Sequence, residues 1–168
     1  MNKELEKIAN QLHRYCVFRF ETPEGTEIEF IVPRSRPWIC CGGQIYAAPA
    51  ETLTNGVVCC SMQSLFFHFG KFRFFNGKVV NFDCIKNKEY LEKMLDQDEG
   101  ARTVGKLSFS LNDGTFHFAL GNSYFNTKGT NKSNLYWDMV VDLKNGGKIY
   151  ADQELIYENG NFLKLWKK

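Results

Sequence analysis

The sequence predicts an α+β domain: a mostly antiparallel, barrel-like β-sheet with a few helices. Three observations carry that prediction. Short apolar or alternating stretches recur along most of the 168 residues. Tight-turn pairs punctuate them, Asn76-Gly77 most clearly. Only two stretches have helical spacing, so the helices accompany a sheet and do not form the frame.

The elements follow in order. Leu5, Ile8, Ala9 and Leu12 fall on one face of a helix over residues 3–13. From Tyr15 the period changes, and residues 15–20 and 26–32 read as a hairpin joined by Pro23-Glu-Gly25. Further strands are expected at 44–48, 56–60, 65–69, 72–75 and 78–82. Residues 87–98 set Tyr90, Leu91, Met94 and Leu95 on one side of a second helix. Strands resume at 106–111 and 115–120 around Asn112-Asp-Gly114, then at 136–143, 149–150, 154–157 and 162–165. Asn145-Gly-Gly147 and Glu158-Asn-Gly160 supply the turns between the last of these. Phe66, Phe67, Phe69, Phe72, Phe74 and Phe75 crowd one expected hairpin, as core or as a hydrophobic partner surface.

Residues 1–168 read as a single domain, because no linker, low-complexity tract or internal repeat interrupts them. With 21 Lys+Arg against 19 Asp+Glu the formal charge is +2, and the basic residues are scattered, so no nucleic-acid partner is expected. No apolar run is long enough to cross a bilayer and the chain opens charged, so no membrane is expected and the cytoplasm is the default location. Without a secretion signal, Cys16, Cys40, Cys41, Cys59, Cys60 and Cys84 read as free thiols. Neighbours on a strand point to opposite faces, so neither adjacent pair offers both sulfurs to one zinc.

The chemistry concentrates late in the chain. His117-Phe-Ala-Leu-Gly-Asn-Ser-Tyr124 and Asn131-Lys-Ser-Asn-Leu-Tyr-Trp-Asp138 place an imidazole, a phenol and a carboxylate close together. Those are the groups with which a metal site binds a cation and steadies a tetrahedral intermediate. No Gly-x-Ser-x-Gly elbow and no Gly-rich phosphate loop competes with them. Asp98-Glu99 reads as a solvated helix end that turns with Gly100.

Several blocks in order resemble the C-terminal, metal-binding domain of the thermophilic-type aminopeptidases, the M29 peptidase family. They are Gly25-Thr-Glu-Ile-Glu-Phe30, Gly43-Gln-Ile-Tyr-Ala-Ala-Pro49, Asn55-Gly56, Asn76-Gly-Lys-Val-Val80 and Asp98-Glu-Gly-Ala-Arg102 with Gly105. His117-Phe-Ala-Leu-Gly121, Ser123-Tyr124, Asn131-Lys-Ser133, Trp137-Asp-Met139 and Asp142 complete the set. The resemblance implies a site with two divalent metals, which activate water and polarise the scissile carbonyl. It also implies the second half of a two-domain enzyme, here expected to stand alone.

Carried over position by position, that site is depleted. A family glutamate falls at Gln44, and an amide is a poorer ligand for a dication than a carboxylate. A second falls at Lys106, whose ammonium repels metal. A third acidic ligand belongs to a segment that the short 107–116 connection lacks. The family's His-Trp-Asp is Tyr136-Trp137-Asp138, and a neutral phenol seldom binds these metals. His117 and Asp138 survive as ligand positions, with Tyr124 as the relic of the phenol that stabilises the intermediate. Without the resemblance, His117 reads as a hydrogen-bonded sheet histidine and Tyr124 as a core or rim phenol; where the inherited geometry brings them together, Asp138 is expected to pair with Lys106.

The expectation is therefore a non-catalytic relative with no cofactor. It would bind a peptide or protein partner through a cleft of Gln44, Lys106, His117, Tyr124, Tyr136 and Asp138, with Lys106 meeting a carboxylate and Asp138 an amine. Two alternatives stand beside it. One is a metal-dependent aminopeptidase with a reduced or partner-completed site, holding one divalent metal such as zinc. The other is a structural, oligomerising subunit. Family enzymes pair and the Phe-rich hairpin carries much aromatic surface, so a homodimer is expected.

Overall fold

A computed structural model describes residues 3–61, 69–110 and 113–163. Helix α1 (Lys3–Leu12) opens the chain and buries Leu5, Ile8, Ala9 and Leu12, the four residues that its spacing aligns. Among the described residues thirteen strands follow, all paired antiparallel, with α2 between the seventh and eighth. They are β1 (Val17–Glu21), β2 (Glu27–Ile31), β3 (Ile39–Cys41), β4 (Gln44–Ala47), β5 (Asn55–Ser61), β6 (Phe69–Phe75), β7 (Lys78–Cys84), β8 (Val104–Ser110), β9 (Thr115–Gly121), β10 (Tyr136–Asp142), β11 (Lys148–Ala151), β12 (Glu154–Glu158) and β13 (Asn161–Phe162). Helix α2 spans Lys88–Leu95 and buries Leu91 and Leu95.

Two sheets form. One has eight strands in the order β13-β12-β11-β1-β2-β5-β6-β7, the other five in the order β10-β9-β8-β4-β3. Among the described residues neither sheet pairs its first strand with its last, so the expected barrel closure is not found and the layers stay open. Phenylalanines fill the space between them. Phe20 of the larger sheet lies 4.2 Å from Phe116 of the smaller, ring centre to ring centre, and Phe74 lies 6.2 Å from Phe118. Trp38, just before β3, extends this layer by packing on Phe18 and Phe109.

Sequence and structure differ at a few places for identifiable reasons. Strand β3 escapes the sequence pattern because it has three residues, although Gly42 (φ +58°) and Gly43 (φ +80°) form the two-residue turn that joins it to β4. Asn76 (φ +47°) and Gly77 (φ +84°) make the expected turn of the same kind between β6 and β7. The expected strand at 65–69 falls outside the described residues except for its last position, where β6 starts and runs unbroken to Phe75. Of the strand expected at 162–165 only Phe162 lies in β13, and residues 164–168 are outside the described part. The second helix ends at Leu95, short of the expected 98, because Asp96 leaves helical geometry. Phe72 and Phe74 are core, whereas Phe75 is 62% exposed. Among the described residues no helix is long and apolar enough to cross a membrane.

Candidate functional site

Alternation gives the five-stranded sheet one apolar and one polar face. Ile45, Leu107, Phe109, Phe116, Phe118, Met139 and Val141 point at the larger sheet and are buried. The other face carries Gln44 and Tyr46 on β4, Lys106, Ser108 and Ser110 on β8, Thr115, His117 and Ala119 on β9, and Tyr136 and Asp138 on β10. Val104 and Leu107 both face the core, which strict alternation forbids for residues three apart. A bulge between Val104 and Lys106 resolves the conflict, with Gly105 as the extra residue. Any Cβ at Gly105 would lie 2.3 Å from the Gly121 carbonyl oxygen, so only glycine fits. The bulge turns Lys106 outward.

Lys106, Ala119 and Asp138 then lie side by side on three neighbouring strands. Alanine in the middle leaves room for the long lysine to cross, and its Nζ sits 3.3 Å from Asp138 Oδ1. The other carboxylate oxygen, Oδ2, is 3.0 Å from His117 Nδ1. Burial, the largest influence on this carboxyl, pushes its pKa up. The His117 contact and the Lys106 charge outweigh it and hold Asp138 below the usual carboxylate range.

On the far side of the imidazole, His117 Nε2 lies 3.0 Å from Thr115 Oγ1. Thr115 donates its single hydroxyl proton to Asp113 at 2.6 Å, so it meets His117 as an acceptor. Asp113 can accept it as a carboxylate, because hydrogen bonds from Thr115 and Ser110 outweigh burial and hold its pKa low. Both ring nitrogens of His117 thus face acceptors, and neither turns a lone pair to open space.

Above this chain of charges lies an aromatic rim. Tyr124 donates its hydroxyl to Tyr136 at 2.9 Å, and the two rings stack 5.4 Å apart. Lys106 Nζ is 5.6 Å and 5.5 Å from their centres, a cation under two π faces. The Tyr124 phenol is raised above its ordinary pKa, first by its bond to Tyr136 and then by burial. Tyr136 is raised by burial first, with the Asp138 charge adding to it. Both stay neutral near pH 7. Tyr46 packs edge-on against Tyr124 and accepts a hydrogen bond from Asn126. Phe125, next in the chain, is fully exposed.

Five of the six residues picked out from the sequence therefore converge: Lys106, His117, Tyr124, Tyr136 and Asp138. Gln44 shares their face but pairs with Ser110, four residues along β8 from Lys106 or about 13 Å along the strand. No side-chain hydrogen bond joins it to the other five. Sequence reasoning missed Thr115, Asp113 and Ala119. Counting by twos from His117 would have found Thr115 and Ala119, and the Asn-Asp-Gly turn marks Asp113.

Past the end of α2, Asp98 turns with Gly100 as expected, and it also ties down a distant segment. Its carboxylate accepts from the Ser133 hydroxyl, the Asn134 amide and the Gly100 amide, and these bonds, led by the one from Asn134, hold its pKa low. With Asn131, whose side chain donates to the Gly100 and Gly121 carbonyls, it pins the 122–135 connection that carries Tyr124.

Comparison with known proteins agrees with this architecture. Residues 1–162 match the model of the thermophilic metalloprotease (M29) family, and the chain belongs to that family. Among solved structures it is similar to wild-type AmpT from Thermus thermophilus, with a TM-score of 0.82 and 19% identity over 94% of this chain and 52% of that one. It is also similar to the 2,5-dihydroxypyridine dioxygenase of Pseudomonas putida KT2440, with a TM-score of 0.79 and 11% identity over 97% of this chain and 60% of that one. At such identities the likeness is one of fold, and the chain spans little more than half the length of either. No curated protein matches.

The donors on this face do not fit the two-metal set that the family implies. An ammonium stands among them, both oxygens of Asp138 and both nitrogens of His117 are engaged, and the Gln44 position lies apart. Among the described residues no three His, Cys, Asp or Glu side chains converge to hold an ion.

Proposed function

We propose that this chain is a non-catalytic member of the M29 family that binds a peptide or protein partner through the relic face. The observation that carries the reading is the Lys106–Asp138 pair. A fixed ammonium supplies the positive charge that a carboxylate cluster would otherwise take from metal, and it cannot activate water as a metal does. The partner would meet the aromatic rim, where Tyr124, Phe125 and Tyr136 are all exposed.

Elemental analysis after chelator-free purification is the deciding experiment. We expect no stoichiometric zinc, cobalt or manganese and no turnover of leucyl substrates with added metal. Substituting Lys106→Glu and Tyr136→His together should raise zinc affinity more than either change alone, because ligands act as a set. One or two tightly held metals per chain, or chelator-sensitive turnover, would hand the function to the metallo-aminopeptidase reading. We further propose a cytoplasmic homodimer, supported by the family relationship and the exposed Phe75.

A further inference from the structure

The charges of the relic face are spent on one another. Lys106 and His117 share Asp138, and Thr115 links His117 to Asp113. What remains open is uncharged. Tyr136 accepts from Tyr124 and Tyr46 accepts from Asn126, so each phenol keeps its own proton to donate. The Gln44 side-chain amide makes no hydrogen bond among the described residues; the Ser108 hydroxyl also has no partner, but it lies fully buried between Tyr46 and His117 and is closed to a ligand. Beside Tyr46 the rings of Tyr124 and Tyr136 are about 40% exposed, and Phe125, next to Tyr124 in the chain, is wholly so.

We propose, resting on the peptide-binding reading above, that this face takes an uncharged stretch of chain bearing an aromatic side chain, and not a chain terminus. An incoming ammonium would meet rings that already hold Lys106, with a like charge behind them. An incoming carboxylate would have to take Lys106, itself buried, from Asp138 and leave that acid with His117 alone. An internal segment meets neither obstacle. Its carbonyls accept from the two phenols, its amides are served by Gln44, and its ring stacks on the rim.

The test uses three probes on the full chain, followed by amide spectra: acetyl-Gly-Trp-Gly-amide, Gly-Trp-Gly with free termini, and acetyl-Gly-Ala-Gly-amide. The capped tryptophan peptide should shift the amides of Tyr124, Phe125 and Tyr136, and the alanine peptide should bind about fivefold more weakly for want of the ring. Affinity should change less than about twofold between roughly 50 and 500 mM salt, because no net charge is paired. Phe125→Ala, at a side chain with nothing to support in the fold, should weaken the capped tryptophan peptide about fivefold. Free termini that bind about fivefold tighter than capped ones, or an alanine peptide that binds equally well, would overturn this inference and leave the peptide-binding reading standing. If no probe shifts this face, both fall.

Discussion

Removing the Lys106 ammonium would leave Asp138 with only its contact to His117. Asp138 is about a third exposed, so solvent offsets part of the lost pairing and Lys106→Met is expected to cost about 1 kcal/mol in urea unfolding. Adding Asp138→Asn should recover part of that loss, since the double variant has no stranded charge. A double-mutant cycle that returned simple additivity would show that the pair is solvated and makes no contribution. Ala119 permits the contact by being small. Ala119→Leu should separate the two charges while leaving both in place, and should destabilise by about 1–3 kcal/mol through crowding. These residues differ in how readable they were. The Lys106–Asp138 pairing could be anticipated because the resemblance gave both positions, whereas the Asp113–Thr115–His117 chain depends on which way a hydroxyl proton points.

At the scale of elements, the connection from Asn122 to Leu135 places Tyr124 and Phe125, and it is held by side chains more than by regular structure. Asp98→Ala should leave the sheets intact and expose the Asn134 amide, which hydrogen exchange would record as lost protection confined to this segment. Glu51 holds the same connection from the other side, accepting from the Thr130 amide at 2.7 Å and pairing with Arg36 at 2.6 Å. Burial raises the pKa of its carboxyl, but the Arg36 and Thr130 bonds outweigh it and the net shift is downward. A depressed folded value means the stabilisation is complete above the unfolded pKa, near 4.3, and is lost as pH falls through the folded one. The stability gap between the native chain and Glu51→Gln should thus be wide at pH 7 and close below roughly pH 4. An unchanged gap at acid pH would mean that Glu51 acts through shape and not through charge. None of these ties follows a sequence period, so the pattern that revealed the strands was silent about them.

At the scale of the molecule, two open antiparallel layers bury most of the described phenylalanines between them, and one outer face is reserved for polar chemistry. Light scattering at tens of micromolar, roughly the range in which a weak interface still shows, should report a dimer, and a monomer would remove Phe75 as an interface candidate. Alternation and Asn-Gly turns made most of this architecture legible, because each strand has to put one side toward the core. Closure was not legible. Whether a twisted sheet meets its own edge depends on strand tilt and stagger, which leave no mark on a period-two pattern. Nor could alternation by itself say that Lys106 points outward, since counting straight from Val104 places it inside.

The glycine bulge that corrects this count also bears on how the chain finds its structure. Were Gly105 paired regularly with Val104 in place, Lys106, Ser108 and Ser110 would turn toward Phe20 and Phe116, and Leu107 and Phe109 would face water. That slipped alignment would compete during folding, with much the same backbone bonding and the wrong side turned inward. Strands β8 and β9 must therefore choose their count before the second layer arrives, because afterwards a slip requires the layers to part. Gly105→Ala, which obstructs the bulge at the Gly121 carbonyl, should slow refolding more than it speeds unfolding. The timing of assembly would then rest on a residue with no side chain of its own.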